Sequence, residues 1–75
     1  RINFKLPISS DVRIVIYDIN GRKVKTLVND KYLYGNYSTL WYGKNNSGGS
    51  VPSGIYFLQM RAGDYIGYSK IIFVE

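Results

Sequence analysis

Seventy-five residues with ten basic and five acidic side chains, for a net charge of +5, make one small domain. Cysteine and histidine are both absent, which excludes disulfides, thiolate chemistry and every histidine-based metal site, general base or catalytic triad. A chain this short buries about 60% of the surface its unfolded form exposes, so its core has to be efficient.

Period-two alternation dominates from the start. Ile2, Phe4 and Leu6 alternate with Asn3 and Lys5, giving a strand over 2–6 that Pro7 ends, because proline has no N–H for a ladder. Val12, Ile14 and Ile16 mark a second strand. Asn20-Gly21 follows, a pair suited to a type I′ hairpin turn, and residues 23–28 return as a third strand. Residues 29–36 read as a loop, punctuated by Asn29-Asp30 and Gly35-Asn36. Residues 37–42 form a fourth strand that contains Trp41. After a stretch rich in glycine and serine, 55–61 is a fifth strand, Ala62-Gly63-Asp64 turns the chain, and 68–74 pairs back; a short strand near Val51 would bring the number to about seven. No stretch has a helical period. The fold class expected is all-β, an antiparallel β-sandwich, occupying 1–75 as a single domain. The two last strands are apolar on both faces, with Ile55 and Phe57 opposed to Tyr56, Leu58 and Met60, and Ile72 and Val74 opposed to Ile71 and Phe73. A solvated sheet needs one apolar face only, so the second is a candidate contact surface and leaves room for a weak homodimer.

The chemistry-bearing patterns are thin. The stretch Trp41-Tyr42-Gly43-Lys44-Asn45-Asn46-Ser47-Gly48-Gly49 lacks the spacing of a phosphate loop and no helix follows it. It reads as a long sandwich connection in which Gly43, Gly49 and Gly54 supply backbone shapes that a Cβ forbids. The carboxylates Asp11, Asp18, Asp30, Asp64 and Glu75 fall at strand ends and turns, and no two are paired for acid–base work. Asp18-Ile19-Asn20-Gly21 opens like a calcium loop but lacks the terminal glutamate, so a capped hairpin is expected. Arg1, Lys5, Arg13, Lys31, Lys44, Arg61 and Lys70 stand apart, and only Arg22, Lys23 and Lys25 cluster, which describes solvated strand faces and not a nucleic-acid stripe. No apolar run approaches the ~18 residues of a membrane helix, and no membrane insertion is expected. No cofactor or metal is expected, and no enzymatic activity. Trp41 and eight tyrosines could stack on sugars, though alternation accounts for most of these rings as core and sheet packing.

The ordered set of motifs carries more. Ile2-x-Phe4-x-Leu6-Pro7 is followed by Val12-x-Ile14-x-Ile16-Tyr17-Asp18-x-x-Gly21-Arg22-x-Val24. Leu27, Gly35 and Trp41-x-Gly43-x-x-x-x-Gly48 come next, then Val51-Pro52-Ser53-Gly54-Ile55-Tyr56-Phe57 and Lys70-Ile71-Ile72. Over nearly its whole length the chain resembles the C-terminal sorting domain of the type IX secretion system, and the pattern is similar to the immunoglobulin-like domain of the flagellar hook-capping protein. The resemblance implies a seven-stranded Ig-like sandwich cut from the end of a larger secreted protein. It would carry an upstream passenger through the periplasm and the outer-membrane secretion machinery to the cell surface, where a sortase removes it. Gly21, Gly35, Trp41, Gly43, Gly54 and Tyr56 are then the structural motif residues, and Lys70, Ile71, Ile72, Phe73, Val74 and Glu75 the candidate receptor-docking residues. Two positions depart from the family pattern: Tyr42 stands where an aspartate usually braces the following loop, and Glu75 where a basic residue is frequent. The alternatives are an Ig-like spacer or assembly module, and a carbohydrate-binding accessory module of a secreted enzyme.

Overall fold

The computed structural model describes residues 2–75; Arg1, counted above among the solitary basic residues, lies outside them. Six strands form: β1 (Ile2–Leu6), β2 (Ser10–Tyr17), β3 (Lys23–Tyr32), β4 (Gly35–Thr39), β5 (Gly54–Ala62) and β6 (Tyr65–Phe73). They make two antiparallel sheets, a pair β1-β4 laid against a quartet in the order β3-β2-β5-β6. The chain is therefore an all-β sandwich, one strand short of the seven expected. Around Val51 only a single bridge forms, between Lys44 and Ser50, because the backbone leaves the ladder to close a loop.

β2 is the central strand. Val12, Ile14 and Ile16 face the small sheet with essentially no solvent exposure, as alternation requires, and Phe4, Leu6, Val28, Val51, Tyr56 and Leu58 complete the core. Each such side chain contributes about 1.5–3 kcal/mol by leaving water. Two register shifts break the β2-β3 ladder: Ile14 faces Val28 but Val15 faces Thr26, and Ile16 faces Lys25 but Tyr17 faces Lys23. Each leaves an extra residue on β3, Leu27 and Val24. The bulges reset the alternation, so Val24, Leu27 and Val28 all pack on the core although their spacing is not period two.

Three boundaries move from the sequence reading. Residues 29–32 are strand and not loop: Asn29, Asp30 and Lys31 are polar because their side chains meet solvent, while their backbone continues the ladder opposite Arg13, Val12 and Asp11. β4 begins at Gly35 and ends at Thr39, so Trp41 lies beyond it. β6 starts at Tyr65, three residues earlier than expected, because Gly63 (φ +60) takes the first place of a two-residue loop of the kind a type II′ turn uses.

The β2-β3 hairpin also differs from expectation. Asn20 keeps a negative φ, and Gly21 alone is left-handed at +80°. Gly21 N–H donates to Asp18 O (3.0 Å) and Asp18 N–H to Arg22 O (3.0 Å), the pattern of a three-residue loop ending in a glycine bulge, not of type I′. The Asp18 carboxylate completes it, accepting from the backbone N–H groups of Asn20 and Arg22 (both 2.9 Å) and from Arg22 Nε (3.2 Å). These partners leave no reason to invoke a cation there.

The Arg22 backbone N–H, helped by that of Asn20 and by the Arg22 charge, holds the Asp18 carboxyl below its ordinary value of 3.8. A depressed folded-state pKa contributes stability above the unfolded value and loses it as pH falls through the folded one. The stability gap between the wild type and Asp18→Asn is thus expected to be full near neutrality and to close below pH about 4, as read from urea melts across the acid range.

Candidate functional site

Residues 40–53, between β4 and β5, form a loop held by its own polar groups. Asn45 organises the tip. Its side-chain Oδ1 accepts from Ser47 N–H (3.0 Å) and Gly49 N–H (2.9 Å), and its N–H donates to Gly49 O (2.8 Å). Asn46 ties the loop to β3 through its N–H to Val24 O (3.0 Å) and through Thr26 N–H to its Oδ1 (3.0 Å). Val51 N–H closes the base on Gly43 O (3.0 Å). Asn45 thus braces the loop tip, and Tyr42 projects into solvent.

Beneath this loop three rings meet. Trp41 lies 5.0 Å from Tyr56 in an edge-on arrangement and 5.2 Å from Phe73, tilted. The indole Nε1 donates to Lys44 O (2.9 Å), and Tyr56 Oη donates to Pro52 O (2.6 Å). With two rings against it and its N–H spent on the loop, Trp41 has a packing role in the domain. Gly43, at φ +71, passes directly over Phe73: a Cβ there would fall on the ring, with Cε1 2.6 Å away. Of the motif residues, Trp41, Gly43 and Tyr56 therefore converge on one place, at the end of β6. Gly21 sits in the β2-β3 turn, Gly35 opens β4 opposite Leu6, and Gly54 opens β5 opposite Phe73.

The six candidate docking residues divide by strand parity. Ile71 and Phe73 point inward and pack on the core. Lys70, Ile72, Val74 and Glu75 are exposed, Ile72 at 68%. Glu75 N–H donates to Ser53 Oγ (3.0 Å), which fastens the residues after β6 to the start of β5.

On the outer face of the large sheet Ile72 pairs with Ile55, and Phe57 with Lys70. Further along, Gln59 Nε2 donates to Tyr68 Oη (3.0 Å), and Tyr17 Oη reaches Gln59 Oε1 at 3.5 Å. Val15, under this polar belt and between its register partners Thr26 and Gln59, is 1% exposed. The face is thus firmly built and carries Ile55, Phe57, Ile66 and Ile72 as exposed apolar side chains. Among the described residues, no three His, Cys, Asp or Glu side chains come together as metal ligands, and no helix is long and apolar enough to cross a membrane.

The model of the FlgD Ig-like domain family matches residues 1–64. The chain belongs to the FlgD Ig-like domain family. No curated protein sequence matches it. Of the two relations read from the motifs, the match is to the hook-capping protein's Ig-like domain. In this FlgD Ig-like domain the matched span holds Trp41, Gly43 and Tyr56, whereas Phe73, the ring they enclose, falls after it. Sequence reasoning found the glycine but not its partner. The signal that would have supplied it is the β5-β6 register, which sets Phe73 opposite Gly54 and turns it inward.

Proposed function

We propose that this domain is a non-catalytic address that directs an upstream passenger through the type IX secretion machinery to the cell surface, where a sortase processes it. Family membership and the motif resemblance support an Ig-like module of this kind. The observation that carries the reading is the outer face of the β5-β6 hairpin. There Ile55, Phe57 and Ile72 stand exposed on a sheet whose other side packs Tyr56, Leu58, Ile71 and Phe73 on the core. A receptor that reads an address needs an ordered surface with apolar anchors, and a rigid strand pair supplies one at low entropic cost.

The test is a fluorescent protein fused to residues 1–75 and expressed in a bacterium with a type IX system. The intact fusion is expected at the surface. Ile72→Glu is expected to cut export by about tenfold, the effect of losing about 1.4 kcal/mol of docking. Since Ile72 is exposed, the same change should alter stability by no more than about 0.5 kcal/mol, so a folding defect does not explain the loss. Export undiminished by both Ile72→Glu and removal of residues 69–75 would refute the docking role. Failure of the intact fusion to leave the cell would favour the second reading, an assembly module, which the FlgD family match itself suggests.

A further inference from the structure

The large sheet is four strands wide and the small sheet two, so one layer does not cover the other. The uncovered part lies beside β1. Among the described residues β1 pairs with β4 alone and β6 with β5 alone, and between these two strands runs a groove of about 860 Å³ lined along both of them. Its floor is Leu58, Met60 and Ala62 of β5, with Ile71 at one end. The cause of the groove is visible in the inward positions of β6, which read Tyr65, Gly67, Ser69, Ile71. Two successive small residues stand where a sandwich would normally carry core side chains. Tyr65 leans back along the strand above Gly67, so that a Cβ there would come within 2.5 Å of its hydroxyl.

The lips carry charge of one sign. Among the described residues, Lys5 on β1 and Lys70 on β6 are the charged ones lining the groove, and no carboxylate lines it. Both lysines alternate with inward apolar neighbours and face outward.

We propose that this groove receives an extended segment of a partner protein, one that alternates apolar and acidic residues and adds as a strand between β1 and β6. The free edges of both strands offer backbone N–H and C=O groups to pair with it. Period-two alternation would send its apolar side chains down onto Leu58 and Met60, into the volume that Ser69 leaves open beside Tyr65, and its carboxylates up beside Lys5 and Lys70. A second copy of this chain is a poor occupant: its own free edges carry Lys5 and Lys70, and the whole chain is at +5. The inference is independent of the secretion reading, since it concerns the purified domain and the inner side of the hairpin, not the outer.

The experiment titrates the ¹⁵N-labelled domain with a synthetic octapeptide of alternating valine and glutamate, alongside valine–lysine and serine–glutamate octapeptides. Amide shifts and slowed hydrogen exchange are expected in residues 2–6 and 65–71 with the valine–glutamate peptide. The other two peptides should bind at least about tenfold more weakly, one for want of charge match and the other for want of apolar side chains. Ala62→Leu and Ser69→Leu each fill the groove from inside and should weaken binding by about tenfold. The amide spectrum of each variant reports whether it is folded, and either one suffices. Lys5→Glu combined with Lys70→Glu should reverse the preference toward the valine–lysine peptide. Absence of shifts at about 1 mM peptide, equal binding of the valine–lysine peptide, shifts on the outer face around Ile55 and Ile72, or undiminished binding by a folded groove-filling variant would each overturn the proposal.

Discussion

Gly43→Ala is expected to lower the stability of the domain by about 3 kcal/mol, combining the cost of a left-handed backbone at a residue with a Cβ and the overpacking of that Cβ against a ring. The backbone is at φ +71, and the methyl would fall on the Phe73 ring, so neither component can be avoided by a change of rotamer. For a domain of this size that loss corresponds to a fall in Tm of about 12–24 °C, read from a thermal melt followed by circular dichroism. The two components separate in a double-mutant cycle. In a Phe73→Ala background the ring is gone, and Gly43→Ala should cost only the backbone part, about 1–2 kcal/mol. Strictly additive costs in the cycle would mean that the ring does not rest on the glycine.

Truncation of Ile14 to alanine should cost about 2–5 kcal/mol, since the side chain is fully buried and its surroundings leave little scope for collapse. Ile14 is flanked by Val28 on one side and Met60 on the other, on the strand that both halves of the large sheet share. A 75-residue domain has about 4–11 kcal/mol in all, so the variant should sit close to its unfolding transition. A lowered urea midpoint at unchanged slope is the expected result. Ile72→Ala makes the contrast: the same deletion at a 68% exposed site should move the midpoint very little, within about 0.5 kcal/mol. Equal effects at the two positions would contradict the assignment of inner and outer faces.

Much of the architecture is legible in the amino-acid order because alternation is a local signal. Pro7 stops β1, the run Val12-Arg13-Ile14 marks the central strand, and Ala62-Gly63-Asp64 turns β5 into β6. What misleads are places where a local signal has a non-local cause. Asn29-Asp30-Lys31 is loop-like in composition, yet β2 holds its backbone in the ladder while solvent takes its side chains. Asn20-Gly21 suggests one turn type, but the Asp18 carboxylate stabilises another by accepting two backbone donors. Trp41 continues an alternating run and still leaves the strand, because its ring is claimed by Tyr56 and Phe73 and its N–H by Lys44.

The candidate surfaces follow the same division. That Ile72 and Ile55 share a face opposite to Tyr56 and Leu58 can be read from parity alone. The groove cannot, because what makes it is missing bulk at Ser69. That residue is recognisable as a core position only once β6 is set in register against β5 and seen to outreach the small sheet.

The seating of Phe73 over Gly43 also sets an order of events in synthesis. The ring that fastens the 40–53 loop belongs to β6, which leaves the ribosome after both the loop and β5. A nascent chain stopped after β5 already has β2, β3 and β5 to pair, yet its loop has no aromatic partner from β6 and Trp41 keeps one open side. Proteases would find that loop, and a truncated product would be cleared, while the finished chain presents it already fastened.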